Sequence, residues 1–243
     1  MARFLLIHGS CHGAWCWEKT IPELNALGHV ATAIDLPSHG DDPTPVAKVS
    51  LESYGQAIVD AVSEPTILVG HSMGGYPIAK AAEIDNTNVA GLVYLCAYTP
   101  FTGVSLADNR RRAPRQPLLD AIHKSEDGLS FSIDPAQAKA KFYHDCSDLD
   151  AAAAIKRLCP QPVLPQETAM DVTSASDDLP KAYILCSRDQ TIPPEYQRVM
   201  TKDWASQNLY EMPTSHSPFY ADPRGLAEIL HRISQNMKKE LSN

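Results

Sequence analysis

The chain has 243 residues, of which 44% are hydrophobic and 21% are charged, and its formal net charge is −8 at neutral pH. This composition is typical of a globular protein with one substantial core, and it excludes coiled-coil, collagen-like and disordered chains. An acidic chain lacks the clustered positive charge that binds a phosphate backbone, so nucleic acid is not an expected partner.

The first half of the sequence alternates between short β-rich runs and stretches with helical spacing. Strands are predicted at residues 4–7, 30–34, 66–69 and 92–96, and helices at 17–27, 51–62 and 74–84. This alternation is typical of βαβ units, which form a parallel sheet with helices on both faces.

The alternation stops between residues 100 and 179, where charge and proline increase and helices are predicted only at 135–143 and 149–158. It returns with strands at 182–186 and 208–211 and helices at 194–204 and 224–239. We therefore expect an α/β core made of residues 1–99 and 180–243, with residues 100–179 inserted as a cap, since this insertion is too long for a loop.

The sequence contains no run approaching the roughly 18 apolar residues that a membrane helix needs, so no membrane partner is expected. The first residues pass directly into a predicted strand, without the longer apolar region of a signal peptide. Six cysteines without a CxxC pair are predicted to be free thiols. A cytoplasmic location is the expectation, and a homodimer is compatible with the sequence.

A GxSxG motif, residues 70–75, follows a predicted buried strand and precedes a predicted helix. In this setting the glycines permit a sharp turn that exposes the serine hydroxyl at the carboxyl end of the strand. Ser72 is therefore the predicted nucleophile, although a glycine-flanked serine can also simply cap a helix.

A serine nucleophile needs a base and an orienting carboxylate, which follow it in the order acid, then histidine, in such folds. Asp189 directly follows the predicted strand 182–186, and His216 follows the strand 208–211. Both are expected at the carboxyl edge of the sheet, whereas Asp177 and Asp178 precede their strand and belong to the opposite edge. A turn-forming role is the alternative for Asp189.

Residues 8–13, after the first strand, are predicted to form an oxyanion loop. The backbone N–H groups of Met73 and Ser10 are the expected donors to the carbonyl oxygen on which charge develops. No HExxH or carboxylate cluster predicts a metal, and the GxSxG motif lacks the Lys-Ser/Thr ending of a phosphate loop, so no cofactor is expected.

Three segments, residues 8–15, 70–75 and 189–197, resemble the α/β-hydrolase superfamily. They are most similar to the branch of plant methylesterases, hydroxynitrile lyases and bacterial esterases. The resemblance spans the core and fades across the insertion; it implies a six-stranded parallel sheet under a helical cap, without a cofactor. In the lyases a threonine and a lysine occupy the positions of Gly9 and Ser217, so the esterase branch is favoured.

The sequence thus predicts a serine hydrolase that cleaves a small, largely apolar carboxylic ester. Lyase chemistry on the same residues, or a ligand-binding protein with little turnover, are the alternatives. An arginine cluster at 110–115 is interpreted as a solvated face. The residues predicted to contact substrate are Gly9, His12, Phe101, Phe142 and Tyr143, although packing of the cap explains the aromatic residues equally well.

Overall fold

A computed structural model describes residues 1–240 of the chain, with side chains through residue 238. The strands are β1 (Arg3–Ile7), β2 (Val30–Ile34), β3 (Thr66–His71), β4 (Val89–Leu95), β5 (Val104–Ser105), β6 (Ile122–Lys124), β7 (Ser130–Ile133), β8 (Gln161–Pro162), β9 (Ala169–Met170), β10 (Lys181–Cys186) and β11 (Leu209–Met212). The α-helices are α1 (Thr20–Ala26), α2 (Leu51–Asp60), α3 (Gly75–Ile84), α4 (Leu106–Arg111), α5 (Pro135–Phe142), α6 (Asp148–Arg157), α7 (Leu164–Glu167), α8 (Ser174–Asp177), α9 (Pro194–Met200), α10 (Pro218–Ala221) and α11 (Pro223–Glu240). Short 3₁₀ turns lie at Ala14–Trp17, Val46–Lys48, Ser72–Gly74, Leu119–Ala121 and Ser206–Asn208.

Six strands form one parallel sheet in the order β2-β1-β3-β4-β10-β11. Its central strands are apolar on both faces because helices cover both. In β1, Phe4 and Leu6 belong to one buried cluster, whereas Leu5 and Ile7 belong to another on the opposite face. The predicted six-stranded parallel sheet with flanking helices is confirmed.

The strand order reverses at β1, which has β2 on one side and β3 on the other. In open α/β sheets, ligands bind outside the carboxyl ends of the strands at such a reversal. The loop after β1 and the turn after β3 both leave the sheet at this place, so the fold brings residues 8–13 and 70–75 together.

Residues 100–179 contain the predicted helices α5 and α6, together with short strands that the sequence analysis did not predict. β6, β7 and β8 form a small antiparallel sheet, and β5 pairs with β9. Strands of two to four residues are too short to show a period-two pattern, which explains the omission. Ala121, Phe131 and Phe142 of this segment join the buried cluster that contains Phe4.

Two predicted helix boundaries differ from the structure by more than two residues. Residues 14–17 form a separate 3₁₀ turn, so α1 begins at Thr20 rather than at residue 17, and α9 ends at Met200 rather than at 204. Among residues 1–240, no helix combines the length and apolar character needed to cross a bilayer.

Candidate active site

Ser72 lies in the sharp turn between β3 and α3. Its φ angle is 54°, in the left-handed region that an L-residue with a side chain rarely adopts. Gly70 makes the turn possible, because a Cβ there would stand 2.4 Å from the carbonyl oxygen of Gly74. The Tyr98 N–H donates to the Ser72 carbonyl at 3.1 Å and fixes the turn to the segment that follows β4.

Asp189 and His216 come together at the carboxyl ends of β10 and β11. The His216 Nδ1–H donates to Asp189 Oδ2 at 2.7 Å, and both side chains are almost completely buried. Asp189 Oδ2 also accepts from Gln197 Nε2 at 3.0 Å, while Oδ1 accepts the backbone N–H groups of Thr191 and Ile192 at 2.6 and 2.9 Å. Four donors therefore hold this carboxylate, and His216 Nε2 is left as the ring nitrogen available to the pocket.

Ser72 and His216 line the same cavity, which is partly open to solvent. Its wall is mainly apolar, and its remaining polar positions include Ser10, His12 and Gln166. The apolar lining residues are Leu106, Ala113, Leu118, Leu119, Ile122, Phe131, Phe142 and Pro193. Phe142 stacks on the His216 ring, with centroids 5.8 Å apart. A concave apolar pocket with a few convergent polar groups is the usual form of a small-molecule site.

The predicted oxyanion loop, residues 8–13, is held in place by hydrogen bonds of His12. His12 Nδ1 lies 2.8 Å from the Ser10 carbonyl oxygen and Nε2 lies 2.6 Å from the Tyr143 hydroxyl. Because a carbonyl only accepts, Nδ1 carries the proton and Nε2 accepts from Tyr143. Burial lowers the pKa of His12 to about 4, which keeps the ring neutral and this tautomer in place.

The same loop is held from the insertion by Gln166, whose Nε2 donates to Ser10 Oγ at 2.8 Å. The amides of Ser10 and Met73 donate in none of the turn and loop hydrogen bonds of residues 1–240, so both are available to a substrate oxygen. Neither Gln166 nor the Tyr143–His12 bond was predicted, because each joins residues more than 130 positions apart that no local motif links.

Gly9 separates this loop from the nucleophile turn. A Cβ at this position would lie 2.8 Å from Ser72 Cβ and 2.8 Å from His71 Nδ1, closer than real Cβ contacts. Any larger residue here would push the nucleophile turn away from the first strand. The absence of a side chain at position 9 is therefore a packing requirement of this site.

One grouping within residues 1–238, formed by His71, Cys96 and His216, brings its potential ligand atoms within 4.8 Å. His71 Nε2–H donates to the His216 carbonyl at 2.7 Å, and the Cys96 thiol donates to the same oxygen at 3.7 Å. Burial raises the pKa of Cys96 well above its ordinary value, so the sulfur stays a protonated thiol and not a metal-binding thiolate. These residues do not fit a metal ion.

The residues predicted to contact substrate divide into two groups. His12 and Phe142 line the cavity. Tyr143 is hydrogen-bonded to His12 and Gly9 packs against the nucleophile turn, so neither lines the cavity. The prediction for Phe101 is corrected: this residue lies outside the cavity, 37% exposed, with the guanidinium of Arg112 over its ring. Phe101 lies instead at a separate surface depression, together with Pro100 and Trp204.

The arginine cluster also departs from the expected solvated face. Arg111, Arg112 and Arg115 are exposed, as expected, but Arg110 is half-buried and lines the cavity, which Arg115 also borders. The helix α4 accounts for the difference between Arg110 and Arg111, since consecutive residues on a helix point in different directions.

Comparison with known proteins places these features in a family. Residues 4–229 match the family model described as the alpha/beta hydrolase family. The chain is 30% identical to Methylesterase 4 of Arabidopsis thaliana, over 96% of each chain, and 31% identical to Esterase PIR7B of Oryza sativa subsp. japonica, over 95% of each. Among solved structures, a pyrethroid hydrolase from Sphingobium faniae JZ-2 superposes with a TM-score of 0.86 at 27% identity, covering 96% of this chain and 97% of the other.

Proposed function

The chain belongs to the α/β-hydrolase family, and from this premise we propose that it hydrolyses small, largely apolar carboxylic esters with Ser72 as the nucleophile. The observation that carries the proposal is that Ser72 and His216 line one apolar cavity, while Nδ1 of His216 is hydrogen-bonded to the buried Asp189. Relatives named methylesterase and esterase support an ester as the substrate and methanol, or another small alcohol, as its leaving group.

In the proposed reaction, His216 Nε2 takes the Ser72 proton as Oγ attacks the ester carbonyl. The Ser10 and Met73 amides donate to the oxyanion, and His216 then gives the proton to the departing alcohol. A water molecule, deprotonated in turn by His216, releases the acid from Ser72. Asp189 holds the productive tautomer and stabilises the imidazolium.

The alternative of lyase chemistry is not favoured by any contact in the site. The lyases of the resembling branch carry a threonine where Gly9 stands, and the spacing of 2.8 Å to Ser72 Cβ leaves no room for it. The experiment below distinguishes an esterase from the other alternative, a ligand-binding protein with little turnover.

The test compares the wild type with Ser72→Ala on a panel of methyl and p-nitrophenyl esters of increasing acyl length. Ser72→Ala should lower kcat by about 10⁶, and a pre-steady-state burst with a p-nitrophenyl ester should report the acyl-enzyme in the wild type. Ser174→Ala, at the first residue of α8 and outside the cavity, is the matched control and should keep wild-type kcat. Near-normal turnover by Ser72→Ala refutes the nucleophile assignment, and the absence of any turnover by the wild type favours the binding-protein alternative.

A further inference from the structure

The cavity that contains Ser72 is lined by two arginines and by no aspartate or glutamate. This is unexpected in a chain whose net charge is −8. The charge of Arg115 is already paired, because its guanidinium forms a bidentate ion pair with Glu195. Nε lies 2.7 Å from Oε1 and Nη2 lies 3.2 Å from Oε2. The uncompensated positive charge in the wall of the cavity is therefore that of Arg110.

Within residues 1–238, the Arg110 side chain makes no hydrogen bond and no ion pair. Its Nε is buried and unpartnered, although the residue as a whole is only half-buried. Buried polar groups in proteins are almost always paired, and a buried donor without a partner therefore requires an explanation. A ligand in the cavity that Arg110 lines would supply the missing acceptor.

The position of Arg110 is set by its neighbour on α4. Asn109 is fully buried, its Nδ2 donates to the Thr99 carbonyl at 2.8 Å, and its Oδ1 accepts from the Tyr196 hydroxyl. These bonds anchor the helix, so that the next side chain, that of Arg110, begins from a fixed backbone position beside the cavity. Because the backbone is already fixed, binding of a ligand costs only the freedom of the Arg110 side chain.

We propose that Arg110 binds a carboxylate carried by the acyl part of the ester, so that the preferred substrates are monoesters of dicarboxylic acids. This inference rests on the proposed ester hydrolysis at Ser72. A guanidinium has five donors in a planar fork and matches a carboxylate through two parallel hydrogen bonds. The charge is assigned to the acyl part because the alcohol proposed above is small, and the apolar lining fits the methylene chain between the two carboxyl groups.

The experiment uses the monomethyl and dimethyl esters of linear diacids from four to eight carbons, which share an acyl chain and differ in the free carboxylate. The selectivity is the ratio of kcat/KM for the monoester to kcat/KM for the diester. Arg110→Gln should lower this ratio by about 10- to 100-fold at the best chain length, the usual effect of one hydrogen bond to a charged group. Arg110→Lys keeps the charge and loses the fork, so its ratio should fall between those of the wild type and Arg110→Gln.

Arg112→Gln is the matched control, because Arg112 follows the same helix but stacks on Phe101 outside the cavity. It should leave the ratio unchanged. A ratio that changes less than about threefold in both Arg110 variants, with melting temperatures near that of the wild type, overturns the proposal. If the wild type still hydrolyses the dimethyl ester and this activity requires Ser72, the proposed function is supported although the role of Arg110 is refuted. If the wild type hydrolyses neither ester, the proposed function itself is refuted.

Discussion

Replacing Asp189 by asparagine tests the proposed catalytic group at its most constrained atom. Asp189 Oδ1 accepts two backbone N–H groups, of Thr191 and Ile192. An asparagine must keep its carbonyl oxygen on those fixed donors, since the opposite orientation would set its NH₂ group against both of them. The NH₂ group then faces His216 Nδ1.

This orientation reverses the tautomer of His216. Nδ1 becomes an acceptor, so the proton moves to Nε2, which can no longer take the proton of Ser72. We expect kcat to fall by about 10⁴, which corresponds to about 5 kcal/mol of lost transition-state stabilisation. The NH₂ group also meets the Gln197 amide, which cannot rotate because its Oε1 accepts from Cys186 N–H and its Nε2 donates to the Ile192 carbonyl. Two donors facing each other in a buried site should lower the free energy of unfolding by about 1–3 kcal/mol.

The assay is steady-state hydrolysis of the best ester from the panel, combined with thermal unfolding of the same preparations. Asp178→Asn is the matched control, because Asp178 precedes β10 at the opposite edge of the sheet from the cavity, and it should retain wild-type kcat. If Asp189→Asn keeps kcat within about tenfold of the wild type, the reasoning from the four donors is refuted.

Two further predictions concern the oxyanion loop. Gly9→Ala should lower the free energy of unfolding by about 1–3 kcal/mol and reduce kcat, because the added Cβ displaces the nucleophile turn. The control, Gly28→Ala, should lower it by about 1–2 kcal/mol because Gly28 has a left-handed φ of 80°, and should keep the wild-type kcat. Urea unfolding and steady-state kinetics measure both quantities, and equal kcat values for the two variants would contradict the prediction. Because His12 has a pKa of about 4 in the folded state against 6.5 in the unfolded chain, only the unfolded state binds its proton between these values, so stability is lost as pH falls through this window. The loss from this residue should be about 2 kcal/mol at pH 5, and His12→Gln should show a smaller drop in unfolding free energy between pH 7 and pH 5 than the wild type; an unchanged drop would show that His12 titrates normally.

Much of the core could be predicted because its signals are local. The apolar runs and the GxSxG motif identify the strands and the nucleophile turn, and the position of a residue after a parallel strand predicts which edge of the sheet it reaches. Ser72, Asp189 and His216 could be proposed together for this reason.

The surroundings of these residues could not be predicted, since they depend on contacts between distant parts of the chain. Gln166 meets Ser10 across 156 positions, and Tyr143 meets His12 across 131. Arg110 was interpreted as solvated because a run of arginines usually is, and only the direction of α4 shows that this residue faces the cavity.

The hydrogen bonds from Gln166 and Tyr143 make the insertion part of the support of the oxyanion loop. Exchange of residues 100–179 with the equivalent segment of a relative would therefore alter turnover as well as substrate preference, unless the new segment brought equivalent donors to Ser10 and His12. A chimera with altered substrate selectivity and wild-type kcat must therefore preserve the hydrogen bonds to Ser10 and His12.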